Sequence, residues 1–129
     1  MPENVDAGNP NVFKLYRGMY EMNMVDGVTS SEDARVMLTI LNEVKFLADV
    51  EFQAYTAGER FATMDDRCRP VADVKVPVGL TVGVDESVVL MTVSPDGMMS
   101  LGTDVTGGVL NLSGATYSIT SKFYGKAGQ

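Results

Sequence analysis

The sequence predicts an α+β protein dominated by antiparallel β-structure. It should hold five or more strands in a sandwich- or barrel-like sheet, one amphipathic helix at about residues 31–57, and a flexible N-terminal arm. Three observations lead there. Val74, Val76, Val78, Leu80, Val82 and Val84 occupy successive even positions, with Lys75, Pro77, Gly79, Thr81 and Gly83 between them, the period-two pattern of a strand with one buried face. The same half carries turn dipeptides at short intervals, which suits hairpins and a meander or Greek key. Val36, Met37, Ile40, Leu41, Val44, Leu47 and Ala48 recur at helical spacing, the signature of an amphipathic helix.

Taken in order, residues 1–11 hold Pro2, Gly8, Pro10 and three asparagines but only Val5 as a sizeable apolar side chain. Such a segment buries too little to fix itself and reads as a mobile arm. Residues 12–129 then form one domain, 12–70 its strand-plus-helix part and 71–129 its β part. Within residues 12–25, Phe13 and Leu15 share one parity and Tyr16, Tyr20, Met22 and Met24 the other, suggesting one or two strands broken near Gly18. Asp26-Gly27 is a turn. The helix follows Thr29, with Ser30 or Ser31 as its cap and Glu32 and Asp33 at its positive end. Its end is open on the residues alone. Val50, Phe52 and Ala54 alternate like a strand, whereas Ala48, Glu51 and Tyr55 extend the helical face towards Gly58; the expectation taken here is helix to about Ala57, its stripe packed on the sheet.

Five strands are expected beyond residue 70. Pro77 cannot donate to a ladder, so the first lies at an edge or bends there. Ser94-Pro95-Asp96-Gly97 suits a type I turn between the next two. Thr106-Gly107-Gly108 turns again, and residues 109–112 are expected to pair with 115–120 across Ser113-Gly114.

Composition narrows function. The 129 residues are 45% hydrophobic and 21% charged, with a formal net charge of −7, which fits one domain with a real core. An acidic chain lacks the clustered cations that displace counterions from nucleic acid. No run of about 18 apolar residues suggests a membrane helix, and the acidic start lacks the basic and apolar regions of a secretory signal. One cysteine forbids an internal disulfide, and the absence of histidine removes the usual general base and the commonest metal ligand.

Candidate chemistry is sparse. Cys68 between Arg67 and Arg69 has cations that favour a thiolate, but no histidine to pair with it. Met19, Met22 and Met24 have thioether spacing that suits cuprous copper, yet methionine more often fills cores and adaptable interfaces. Asp65-Asp66 and Asp85-Glu86 are adjacent carboxylates that point apart in an extended chain and lack a calcium-loop pattern. Asn111-Leu112-Ser113 matches a glycosylation acceptor but sits in a predicted strand. Neither a phosphate loop nor a triad motif occurs. No catalytic residue, cofactor or metal is therefore expected.

The charge pattern is more informative. Residues 1–70 carry 7 Lys/Arg and 12 Asp/Glu, while residues 71–129 carry 3 and 5; from Val88 to Ser121 only Asp96 and Asp104 are charged. Free sheet edges normally carry lysine to block pairing, and charge depletion with methionine and aromatic enrichment marks an interface core. The expected contacts are Tyr16, Tyr20, Met22 and Met24 near the arm, Met98 and Met99 in the β half, and Arg67 and Arg69 facing partner carboxylates.

In this whole-chain character, a charge-poor β-module with extended termini, the sequence resembles small structural proteins of tailed-phage particles, with capsid decoration or cement proteins the nearest type. The resemblance implies a non-enzymatic virion protein, made in the host cytoplasm and not secreted by a signal peptide. Its partners would be its own copies, a trimer before a dimer, and a major capsid or other virion protein, with no direct contact to nucleic acid or membrane. The alternatives are another particle role, in a tail or head–tail connector, and a small β-sandwich ligand- or glycan-binding module.

Overall fold

A computed structural model describes residues 16–30 and 33–120, and the described residues contain strands, turns and one 3-10 turn. The expected arm at residues 1–11 lies outside them. Twelve strands are present: β1 (Tyr16–Glu21), β2 (Asn23–Met24), β3 (Val28–Ser30), β4 (Arg35–Thr39), β5 (Glu43–Phe46), β6 (Val50–Tyr55), β7 (Ala62–Thr63), β8 (Val74–Val82), β9 (Asp85–Val93), β10 (Met98–Leu101), β11 (Val105–Asn111) and β12 (Thr116–Ser118). Every pairing among them is antiparallel.

Eight strands form one sheet in the order β2-β7-β10-β9-β8-β11-β6-β3. Its two end strands are consecutive in the chain. The Asp26-Gly27 turn joins them, with Gly27 at φ 86° and the Val28 amide bonded to the Val25 carbonyl. A positive φ of that kind is one that glycine adopts without a Cβ clash. The sheet therefore curls into a nearly closed barrel. A second sheet, β1-β4-β5-β12, packs on it, and one contiguous cluster of buried side chains includes Val36, Leu38, Val44 and Phe46 from this sheet with Val76, Met91 and Leu110 from the barrel.

The expected helix at 31–57 is corrected: residues 35–55 are three strands, β4, β5 and β6. Val36, Leu38, Val44, Phe46, Ala48, Val50 and Phe52 are buried, all at even positions, whereas Ile40 and Leu41 from the helical stripe are exposed in a turn. Asn42 there has φ 63°, a left-handed conformation that ends a regular segment. β-Branched and aromatic side chains fit a pleated, half-buried surface better than a helix, and β1 and β12 supply partners on either side of the β4–β5 pair. Of the proposed caps, Ser30 closes β3; Ser31 and Glu32 fall outside the described residues.

The second half follows the expectation more closely. β8 and β9 pair from Val74↔Val93 to Val82↔Asp85, and β9 meets β10 across Ser94-Pro95-Asp96-Gly97. Val84 leaves the buried row and sits in the hairpin loop, 96% exposed. Pro77 lies where β11 no longer borders β8, since that pairing covers Gly79 to Val82. Two expectations fail. Thr106-Gly107-Gly108 is inside β11 rather than a turn, and β12 pairs with β5 instead of β11. The Gly114 amide donates to the Phe46 carbonyl and the Ser113 amide to Asp49 Oδ1, so the Ser113-Gly114 turn is held by the second sheet and carries the chain across to it.

Aromatic packing centres on Phe52, whose ring centroid lies 5.3 Å from Phe61 and 5.2 Å from Tyr55. The Tyr55 hydroxyl accepts the Leu101 amide at 2.8 Å and donates to the Glu59 carbonyl, tying β6 to β10. Phe52→Ala should lower unfolding free energy by about 3–5 kcal/mol, through lost burial plus the cavity left. Tyr55→Phe, which orphans the buried Leu101 amide, should cost about 1–3 kcal/mol. Urea denaturation checks both.

Candidate interface on the β8–β9 hairpin

The hairpin rises from the barrel with its two faces in different environments. Val76, Val78, Leu80, Met91 and Val93 point inward and are buried. The opposite face carries Lys75, Pro77, Gly79 and Thr81 on β8, with Glu86, Val88, Leu90 and Thr92 on β9, as the register pairs Pro77↔Leu90 and Gly79↔Val88. Val88 is 73% and Leu90 53% exposed. With Pro77 they make an outward apolar strip, with Lys75 at one end and Glu86 at the other, and Val84 stands exposed in the hairpin loop beyond Glu86.

One edge of this hairpin is also open. β10 covers β9 only at Met91, Thr92 and Val93, and no described strand borders residues 85–90 on that side. In an antiparallel ladder, alternate residues direct their backbone groups to opposite neighbours. The Ser94 amide bonds to the Met98 carbonyl on the β10 side, which sets the phase: Glu86, Val88 and Leu90 turn their N–H and C=O groups toward the open side. The strip thus combines exposed apolar side chains with a stretch of β9 that no described strand borders, and contains neither a lysine on β9 nor a bulge in the β8–β9 register. Those are the devices that normally guard such an edge.

The sequence-derived candidates are placed as follows. Met22 and Met99 are buried in the core, which corrects their assignment as partner contacts: each fills interior space. Met24 and Met98 are half-buried beside β7, paired with Ala62 and Thr63. Tyr16 begins β1, opposite Thr39. Tyr20 and Arg67 meet, with the guanidinium carbon 4.2 Å from the ring centroid. Arg67 and Arg69 have partners within the chain: Arg67 Nε is 2.9 Å from Asp65 Oδ1, and Arg69 Nη1 is 3.0 Å from Asp66 Oδ1. Arg69 also donates to the Met64 carbonyl. The Arg67 side chain holds Asp65 below the usual carboxylate range, and Asp65 caps the 3-10 turn Asp66–Cys68.

Val84, Val88 and Leu90, the exposed apolar residues of this hairpin, were not among the sequence-derived candidates. Val88-Val89-Leu90-Met91 is a continuous apolar run, so no alternation marks an outward face; the signal present in the sequence was the missing lysine.

The chemistry on offer elsewhere is limited. Met19 is exposed on β1 and Met22 buried, so the thioethers of that segment do not converge. Three surface depressions are lined by Met19, Asp33, Arg35 and Leu47, by residues around Val88 and Asn111, and by Val89, Leu90, Gly102 and Thr103. None of these three has an aromatic lining. Among the described residues no group of three His, Cys, Asp or Glu converges to hold a metal, and no helix is long and apolar enough to cross a membrane. Asp85 and Glu86 fall on opposite faces at the start of β9, and the Asn111 amide donates to the Thr81 hydroxyl. Comparison with protein families, with characterised proteins and with solved structures returned no match for this chain.

Cys68 is buried, and burial followed by the Asp65 charge pushes its thiol up to about 11. The neighbouring arginines do not offset this. Tyr117, whose hydroxyl donates to the Cys68 carbonyl, is likewise raised by burial. The folded state therefore holds the Cys68 proton more tightly than the unfolded state. Its contribution to stability is full below the ordinary thiol value near 9.0 and is lost as pH rises towards about 11. Denaturation midpoints should hold to pH 8 and fall across that window, and Cys68→Ala should flatten the fall. At pH 8 the thiol should react with a chromogenic disulfide only after denaturant is added.

Proposed function

We propose that this chain is a non-enzymatic structural protein of an assembled particle, which associates with its own copies and attaches to a lattice of other protein subunits. The observation that carries the reading is the outward strip of Pro77, Val88 and Leu90 on a stretch of β9 that no described strand borders on one side. Apolar surface exposed on a soluble chain is stabilised when a partner removes it from water, at roughly 25 cal/mol per Å² buried. An unpaired ladder adds directional hydrogen bonds to that gain. The absence of lysine from β9 supports the reading, since lysine is the side chain that most often blocks an open strand edge.

Its particular form is the decoration or stabilisation of a tailed-phage capsid, with the virion as location and a homo-oligomer, a trimer before a dimer, as the working unit. Closed symmetry suits this role, since one surface patch then serves every copy. The half-buried Met24 and Met98 flank β7, and Tyr20 lies on β1 against Arg67. That side is the proposed route to the lattice partner.

Light scattering on the eluting protein tests self-association. The parent chain should show a multiple of 13.9 kDa at micromolar concentration. Val88→Lys with Leu90→Lys should shift the mass to a single copy and leave the melting temperature within a few degrees, since exposed substitutions change stability by about 0.5 kcal/mol or less. A parent that remains a single copy at high concentration overturns the reading.

A further inference from the structure

We propose that the open edge of β9 is taken by the C-terminal segment of a second copy, residues 121–129, which adds to the barrel as an extra antiparallel strand. The inference rests on the self-association reading and specifies its chemistry. The edge presents Glu86, Val88 and Leu90 on its outward face, with Asp85 beside them at the hairpin end. The segment after Thr120 reads Ser121, Lys122, Phe123, Tyr124, Gly125, Lys126, and carries two cations and no carboxylate side chain. Its alternation matches the edge. Lys122, Tyr124 and Lys126 share one parity, and Phe123 and Gly125 share the other. With Tyr124 opposite Val88, antiparallel addition puts Lys126 opposite Glu86, Gly125 opposite Ser87 and Phe123 opposite Val89. Val89 lines an apolar depression with Leu90, Gly102 and Thr103, which gives the phenyl ring a place to pack. Tyrosine on valine and lysine against glutamate are favourable cross-strand pairs.

Two copies of β9 pairing antiparallel about Val88 would instead set each Glu86 opposite Leu90 of the other copy, with no cation to pair with it. The place where the segment starts favours a strand from a different copy. The Ile119 amide donates to the Asn42 carbonyl and the Val71 amide to the Ile119 carbonyl, each at 3.0 Å, so the chain leaves the second sheet beside Val71. Val88 pairs with Gly79, five residues into β8, or about 17 Å along the strand from Val74. Tyr124 is four residues beyond Thr120 and spans at most about 14 Å. The start of the segment is thus tied near the Val74 end of β8, while Val88 lies further along the hairpin.

Thiol cross-linking between two variants tests the proposal. Val88→Cys mixed with Tyr124→Cys should yield a cross-linked dimer that neither variant forms alone; the buried Cys68 of the parent serves as control. Truncation after Thr120 should weaken self-association at least ~10-fold, with circular dichroism confirming that the barrel is retained. Lys126→Glu should lower the cross-linking yield and Glu86→Lys in the other variant should restore it, the pattern of a direct charge pair. A dimer from Val88→Cys alone would assign the edge to hairpin–hairpin pairing and overturn the proposal. So would a cross-link formed within one chain carrying both cysteines. Self-association that survives truncation unchanged overturns it and leaves the assembly reading standing, whereas a parent that never associates removes both.

Discussion

The controlling constraint in this molecule is that backbone amides and carbonyls along a strand edge need partners. A flat eight-stranded sheet would present two such edges. This chain removes most of them by curling until β2 and β3, its end strands, are joined by the three residues around Asp26-Gly27. Closure fixes the interior: inward side chains from β6, β8, β9, β10 and β11 share one core with the second sheet, and Tyr55 links β6 to β10 across it. Among the stretches that curling leaves over is the part of β9 that outruns β10. The interface proposed here is therefore a consequence of unequal strand lengths in an otherwise closed sheet, and its location follows from the same bookkeeping that shapes the core.

Burial and charge then act in the same direction at that place. Val88 and Leu90 face water, and the neighbouring Asp85 and Glu86 give that end of the hairpin a negative charge. A cationic strand meets both conditions, covering apolar side chains while neutralising the carboxylates. By contrast, Arg67 and Arg69, the conspicuous cations of the sequence, are engaged by Asp65 and Asp66 and organise the turn that carries Cys68.

The β8 strand was legible because its two faces meet different environments, so alternation from Val74 to Val82 is nearly pure. The turn at Pro95-Asp96-Gly97 was legible for a local reason, proline and glycine at positions that favour their own dihedral angles, Gly97 having φ 88°. Residues 35–55 misled because Met37, Leu41 and Leu47 fill odd positions between Val36, Leu38, Val44, Phe46 and Ala48. Both periods then match the same letters. The decision lies with β1 and β12, whose edges satisfy β4 and β5, and pairing over that sequence distance leaves no local trace. The destination of the Ser113-Gly114 turn was hidden for the same reason, being set by Phe46 and Asp49. At the candidate site, the absence of lysine was readable but the outward residues were not, since a continuous apolar run carries no parity.

Residue-resolved hydrogen exchange of β9 as a function of protein concentration tests the central claim most directly. In dilute solution, Ser87 and Val89, which turn their amides to β8, should be protected while Glu86, Val88 and Leu90 exchange freely. On concentration these three should slow together while the alternate residues change little. Free exchange at all three under every concentration would contradict the account, as would equal protection of all five in the isolated chain.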